Sequence, residues 1–294
     1  MKKEEFKGRE VTIMTCSNCN AKCKHCYISY DGNFEQDVLY NLCGELIKKY
    51  RVLLNGTEIL LHPEYFECLK LVGQNFLLTN GIELARNPKI IETIAKAGVK
   101  FVGTSYHYGI HSEISTVSQQ IVEENIARLR EYEIGTDLRV TITNRNYMLI
   151  PKMCEKAVSL GATGIKFTNY MQMGAALNLV QDNVLAEWQI EEFFALLEQV
   201  RRIYSKEELL IRRCGSFGND TNNSGSKFCC TAGMESVVIT PDLNVYPCFF
   251  LAKKGMEIGH VEDGKIIIDH PIVHNGSKCL AKEVNNNGYQ LKLQ

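Results

Sequence analysis

The sequence predicts an α/β fold in which a parallel sheet is covered by helices, followed by a smaller cysteine-rich part. Two observations carry this expectation. Short β-branched runs alternate with amphipathic helical stretches from residue 10 to about 200, and that alternation builds parallel sheets. Beyond about residue 205 the texture changes to short strands, turns and five of the twelve cysteines. The pattern by itself fits an open sheet and a barrel equally.

Taken in order, VTIMT (11–15) reads as the first strand, and DVLYNLCGELIKKY then repeats apolar positions at helical spacing. RVLLN, NFLLTNG, FVGTSYH, LRVTITN and GIKFTNY follow as strands. Between them PKIIETIAKAG, VSQQIVEENIARLREYEIG and PKMCEKAVSLGA read as helices. Proline opens the first and third, where its missing N–H costs nothing, and a C-cap glycine is expected after all three. After the helix EWQIEEFFALLEQVRRIYS comes a polar, glycine-rich loop, then SVVITPDLNVYPC, which reads as a hairpin. These textures predict a core domain over 1–204 and an auxiliary domain over 205–294. The latter holds too little apolar material for a core of its own, so a metal or cluster would supply the missing cohesion.

Composition excludes several function classes. Of the 294 residues 45% are hydrophobic and 23% charged, ordinary for a globular protein with a sizeable core. A net charge of −1 gives no electrostatic case for nucleic acid or an anionic membrane surface. No signal peptide and no membrane-length apolar run is visible, so a cytoplasmic location is expected. Without export, twelve cysteines suggest metal ligation or redox chemistry rather than disulfides. Cys43, Cys68 and Cys154 sit singly in helical segments and read as small buried hydrophobes.

Four cysteines fall in TCSNCNAKCKHCY, residues 15–27. A zinc ribbon needs two knuckles separated by a long hairpin, and only three residues lie between Cys19 and Cys23. A ferredoxin-type run would use all four thiolates in a closed electron-transfer centre. A third reading keeps Cys19, Cys23 and Cys26 and leaves one iron of a four-iron cluster open, as a catalytic metal site requires.

The spacing Cys19-x3-Cys23-x2-Cys26, directly after a first strand, resembles the signature of the radical S-adenosylmethionine (SAM) enzymes. The resemblance implies a partial (β/α)6 TIM-like barrel whose [4Fe-4S] cluster binds SAM at its open iron. Reductive cleavage there gives methionine and a 5′-deoxyadenosyl radical, which abstracts hydrogen from the substrate. It also implies a reducing partner such as flavodoxin or ferredoxin. Further runs agree in order along residues 10–180. His25 stands where the family has an aromatic residue near the adenine. Gly56-Thr57-Glu58-Ile59 matches its GGEP-like turn, with threonine and isoleucine replacing the second glycine and the proline, and Glu58 is kept for the methionine amino group. Thr79-Asn80-Gly81 resembles the TNG that ends the third strand. Ser105, and Thr141 or Thr143, stand where polar residues contact the SAM ribose or carboxylate, and GAALN (174–178) resembles the stretch after the sixth strand. Cys16 is then a non-ligand, lining the cavity or simply buried.

Cys230-x17-Cys248, enclosing ITPDLNVYPC, resembles the auxiliary-cluster domains called SPASM or twitch. Pro241-Asp242-Leu243 lacks the glycine of that pattern, so its turn is expected to be built differently, while Met256-Glu257-Ile258-Gly259 agrees with the family. The resemblance implies one auxiliary [4Fe-4S] cluster on Cys230, Cys248 and Cys279. The fourth ligand is Cys214 or Cys229, or the position is open to substrate. A spare thiol, Cys214 or Cys229, could donate a hydrogen atom to a substrate radical, and Tyr106, His107 and His111 are expected at the substrate side, because polar aromatic residues there are not expected in a core. The family resemblance points to an oxidoreductase modifying an amino-acid residue of a peptide substrate (RiPP maturation). Only about ten residues precede the first strand, so no fused leader-recognition domain is expected, which keeps a dehydrogenase of a carbohydrate or other small-molecule substrate as the alternative. A non-catalytic iron–sulfur carrier is disfavoured, because a carrier needs no SAM pocket.

Overall fold

The structure is a computed structural model that describes residues 4–179, 183–218, 230–272, 274, 276 and 278–287. Its elements begin with β1 (Glu4–Glu5), β2 (Glu10–Met14), α1 (Gln36–Leu46), β3 (Arg51–Asn55), α2 (Phe66–Leu71) and β4 (Phe76–Thr79). Helices α3 (Ile82–Arg86) and α4 (Lys89–Lys96) lead to β5 (Phe101–Ser105), and α5 (His111–Ile114) and α6 (Gln119–Glu131) lead to β6 (Gly135–Ile142). Helix α7 (Ile150–Ser159) precedes β7 (Gly164–Asn169), and α8 (Glu187–Ile203) precedes β8 (Leu210–Arg213). Strands β9 (Ser236–Ile239), β10 (Asn244–Tyr246), β11 (Gly259–Glu262) and β12 (Lys265–Ile268) follow, then α9 (Leu280–Asn287). Every run expected as a strand between residues 10 and 170 falls on one of β2 to β7. No described helix is long and apolar enough to cross a membrane.

The chain forms two compact units, one of Met1–Asn20, Ile28–Leu78 and Cys229–Gln294, the other of Ala21–Tyr27 and Thr79–Phe228. In the first, β2 pairs in parallel with β3 on one side and with β9 on the other. The sheet continues antiparallel through β10, β11 and β12 to β1. Strands β9 to β12 thus extend the sheet begun by β2, while β8 pairs with β7, whereas the sequence suggests a separate domain over 205–294. Packing gives the reason: Met14 of β2, Val238, Tyr246 and Ala252 are buried in one cluster, so the C-terminal strands share a core with β2.

The β9–β10 hairpin keeps the left-handed position that a Pro-Asp-Gly turn would give to glycine. Leu243 occupies it, at φ 63°, and Asp242 Oδ1 accepts from the Asn244 N–H at 3.2 Å and the Thr240 hydroxyl at 2.5 Å. The turn expected to be built differently is therefore the usual one under strain, held by the aspartate.

In the second unit β5, β6, β7 and β8 pair in parallel. One face carries Leu138, Val140, Ile142, Ile165, Phe167 and Ile211 into a core with α6, α7 and α8. The expected C-cap glycines hold after α4 and α7, where Gly98 (φ 87°) and Gly161 (φ 74°) are left-handed. After α6 the left-handed residue is Glu133 (φ 55°). Its N–H donates to Arg130 O, and Ile134 N–H reaches Leu129 O at 3.0 Å, which closes the helix end on a residue two positions before Gly135. That glycine opens β6, where a Cβ would lie 2.8 Å from Thr163 Oγ1 and 2.9 Å from Phe101.

Candidate active site

At the C-terminal ends of β2 and β3, where α/β folds place their sites, two turns are locked together. The Thr57 N–H donates to Cys16 O at 2.9 Å, and the Tyr30 hydroxyl donates to the same oxygen at 2.6 Å. Gly56 is required by this approach: a Cβ there would sit 2.8 Å from both Cys16 Sγ and Thr15 Oγ1. Cys16 is wholly buried, and burial pushes its thiol up. Glu58 is fully buried as well and accepts from the Leu60 N–H at 3.2 Å. A carboxylate out of water is costly unless it is paired or hydrogen-bonded, so its position at a strand end suits a cationic ligand group.

The cysteine loop divides between the units, Cys19 in the first and Cys23 and Cys26 in the second. Within the second, the Cys26 N–H closes a turn on Cys23 O at 3.2 Å. The loop is fastened to the end of α5: Lys24 N–H donates to Ile114 O at 2.8 Å and Lys22 N–H to Thr116 Oγ1 at 3.0 Å. Cys23 Sγ lies 3.7 Å from Ser115 Oγ. Ala176 of the GAALN stretch donates its N–H to Cys26 O at 3.3 Å. Cys19 is exposed and Cys23 and Cys26 partly so, whereas Cys43, Cys68 and Cys154 are buried. The thiols of the loop are thus accessible, and thiolates are the ligands iron–sulfur clusters use.

His25 of this loop, half-buried, stacks with the buried His107 and His111. The rings of His25 and His107 meet edge to face at 4.4 Å, and those of His107 and His111 stack at 5.4 Å. His107 Nδ1 accepts from Thr141 N–H at 3.0 Å, and His111 Nδ1 accepts from His107 N–H at 3.0 Å. His111 Nε2 lies 2.8 Å from Val117 O and His25 Nδ1 lies 3.0 Å from Ile114 O, distances that assign an N–H to each. Burial is the first cause holding all three below the usual histidine range, His107 most.

Tyr106, His107 and His111, expected as substrate contacts, lie in the interior of their unit. All three are buried, and Tyr106 belongs to the core of its unit with its hydroxyl on Glu123 Oε1 at 2.5 Å. The Tyr106 hydroxyl and both His111 ring nitrogens have partners within the unit, whereas His107 Nε2 is buried with no hydrogen-bond partner among the described residues. The TNG turn is similarly built: Asn80 Oδ1 accepts from Ile82 N–H at 2.9 Å, and Asn125 Nδ2 donates to Gly81 O at 2.7 Å. Ser105 and Thr141 end their strands partly exposed.

Of the C-terminal cysteines, Cys230, Cys248 and Cys279 share the first unit. The Cys248 thiol is pushed up to about 12, first by burial and further by the nearby Cys279 and Cys230. Cys214 lies in the second unit, within electrostatic reach of Arg139 and Lys166, and Cys229 falls outside the described residues. No three His, Cys, Asp or Glu side chains among the described residues form a cage for a single metal ion. Sequence reasoning missed Ser115 beside Cys23, and it missed Arg139, Lys166 and Arg212. The signal for the last three was available, since charged residues inside strands of a parallel sheet break its usual apolar run.

No family model matches the chain, and no curated protein matches it in sequence. Among solved structures the chain is similar to Streptococcus suis SuiB bound to S-adenosylmethionine, with TM-score 0.67, 14% identity and coverage of 96% of this chain and 66% of that one. It is similar to SuiB bound to precursor peptide SuiA, at TM-score 0.66, 12% identity, 96% of this chain and 65% of that one. A third is native anSMEcpe with bound AdoMet, at TM-score 0.64, 17% identity, 86% of this chain and 78% of that one. The chain spans about 65% of the length of the SuiB structures. At these identities the likeness shows the architecture, and the chain has the α/β fold of these structures.

Proposed function

We propose that this chain is a radical SAM enzyme that modifies an amino-acid residue of a peptide. The observation that carries the reading is the placement of Cys19-x3-Cys23-x2-Cys26 directly after β2, in a fold shared with structures that hold S-adenosylmethionine. The donor set fits a [4Fe-4S] cluster: three accessible thiols within eight residues. Held there, a cluster would pass on the electron that cleaves SAM reductively to methionine and a 5′-deoxyadenosyl radical. The chain's own residues bind and orient. Glu58 accepts from the methionine ammonium, and Gly56 and Thr57 bring the backbone of that turn close. His25 borders the adenine, while Asn80, Ser105 and Thr141 line the ribose and carboxylate side. A peptide substrate is supported by the shared fold of SuiB, crystallised with precursor peptide SuiA. Flavodoxin or ferredoxin would supply the electron, in a cytoplasm that keeps the thiols reduced.

In the same reading residues 1–204 form the radical SAM core, in a partial (β/α)6 barrel, and 205–294 a SPASM- or twitch-like part. Cys230, Cys248 and Cys279 would hold an auxiliary [4Fe-4S] cluster, supported by the nearness of Cys230 and Cys279 to the Cys248 thiol, which burial first and then both of them push up. Cys214 or Cys229 is the fourth ligand or the thiol facing substrate. Replacing Cys19, Cys23 and Cys26 together with alanine should abolish 5′-deoxyadenosine formation from SAM under anaerobic reducing conditions. It should also cut the iron content from about eight to about four per chain. Continued formation of 5′-deoxyadenosine by the triple variant would refute the reading.

A further inference from the structure

On the face of the second unit's sheet turned away from its apolar core, three cations stand in register. Arg139 of β6 pairs with Lys166 of β7, and Lys166 with Arg212 of β8. Strand alternation puts them on one face, because Leu138, Val140, Ile165, Phe167 and Ile211, their chain neighbours, fill the core on the other. Ser105 of β5 continues the row beside Arg139. Among the described residues one carboxylate answers these charges. Asp137 Oδ2 lies 2.6 Å from Arg139 Nε, and Asp137 Oδ1 lies 2.8 Å from an Arg212 terminal nitrogen. Lys166 makes no ion pair among the described residues, so three cations against one anion leave two positive charges in excess.

Like charges directly opposite one another on neighbouring strands are destabilising, and strands of a parallel sheet are ordinarily apolar. The row is also only partly solvated, the Arg139 side chain being 25% exposed and the Arg212 side chain 44%. A row built at a cost to stability has a use for its excess charge. Guanidinium forks are suited to carboxylate and phosphate, and a lysine adds a point charge. The row lies one step below Thr141 and Thr168, which are themselves paired across β6 and β7, and the Cys214 thiol is within electrostatic reach of Arg139 and Lys166.

We propose that Arg139, Lys166 and Arg212 form the subsite that receives a carboxylate of the substrate. This rests on the radical SAM reading for its substrate, a peptide or small molecule, and on the register of the sheet for its place. Thermal denaturation of the full chain tests it without turnover. Lys166→Met should raise the Tm of the ligand-free protein by about 2 °C, because it relieves repulsion across the row, and Arg212→Gln, nearer solvent, should raise it as well. A row serving stability predicts the opposite sign, and a fall in Tm for both variants would overturn the proposal.

The probes are an N-acetylated, C-amidated alanine–glycine pentapeptide with a central glutamate, its glutamine counterpart, free succinate and inorganic phosphate at matched ionic strength. The glutamate peptide or succinate should raise the wild-type Tm by about 2–4 °C, the one that does so identifying the source, and Lys166→Met should lose the shift. The glutamine peptide matching the glutamate one, phosphate alone acting, or no probe acting would each refute the carboxylate subsite. The carboxylate shift should persist in protein saturated with SAM; if SAM abolishes it, the row holds the carboxylate of SAM and not that of a substrate. Should SAM itself leave the Tm unmoved, the radical SAM reading fails while the carboxylate result stands.

Discussion

Gly56→Ala tests whether the turn after β3 is fixed by its approach to β2. The added Cβ would sit 2.8 Å from Cys16 Sγ and 2.8 Å from Thr15 Oγ1, closer than carbon packs against either atom. Relief by movement is blocked. Cys16 and Thr15 are wholly buried, and Cys16 O is held by Thr57 N–H and the Tyr30 hydroxyl. Overpacking of this kind costs about 1–3 kcal/mol, and each kcal/mol lowers Tm by about 2–4 °C in a large domain. Thermal denaturation should therefore show a clear fall for Gly56→Ala. Adding Cys16→Ala removes one of the two clashing atoms, so the double variant should be more stable than the sum of the singles by about 0.5–1.5 kcal/mol. SAM affinity should fall with stability, because Glu58 rides two residues further along the same turn. A Gly56→Ala protein as stable as the wild type, or strict additivity with Cys16→Ala, would refute the geometry.

Three further outcomes follow from the site and the fold. Glu58→Gln should weaken SAM binding by about ten-fold, a charge-assisted contact being worth roughly 1.5–3 kcal/mol, with iron content at the wild-type level; unchanged affinity removes Glu58 from the site. Stability should fall as pH drops below the ordinary histidine value, because His107 stays neutral in the fold, held down by burial and then by His25 and His111. The unfolded chain then binds the extra proton, and one such imidazole loses about 1.4 kcal/mol at pH 5.5. Denaturant midpoints between pH 7.5 and 5.5 read this, and a flat profile contradicts the buried stack. Leu243→Gly should stabilise by about 0.5–1 kcal/mol, since a side chain in the left-handed region costs about 1–2 kcal/mol and glycine returns part of that through the unfolded chain; a loss of stability would mean that the leucine's packing outweighs its strain.

The strands are legible because each is a β-branched run bounded by turn residues, and such local signals survive folding. RVLLN forms β3 as expected, and FVGTSYH forms β5 over its first five residues. What local pattern does not carry is partnership. Nothing in SVVI announces that it will lie beside VTIM, more than two hundred residues earlier, yet Ser236 to Ile239 pair in register with Glu10 to Ile13. Composition changes near residue 205, while the compact units follow strand pairing. The α6 terminus shows the same limit at short range. A glycine at 135 looks like a cap, but the helix has already closed on Glu133, and the glycine is reserved for the contact with Phe101 and Thr163.

Individual site residues are harder to judge than the motifs that contain them, because polarity alone does not tell a ligand contact from a satisfied core group. Tyr106 and His111 carry the polar atoms expected at a substrate surface, and each spends them on Glu123, on backbone or on its neighbour, while His107 bonds Thr141 through Nδ1 and leaves Nε2 buried without a partner among the described residues. Arg139, Lys166 and Arg212 are the reverse. They lie in three separate strands, and only the pairing of those strands puts them side by side. A histidine that finds partners among its own neighbours has its bonding settled by the fold. Three cations brought together across strands, with a single carboxylate between them, leave charge that the fold does not neutralise. The unbalanced row is therefore an indication of a ligand that no single strand could give.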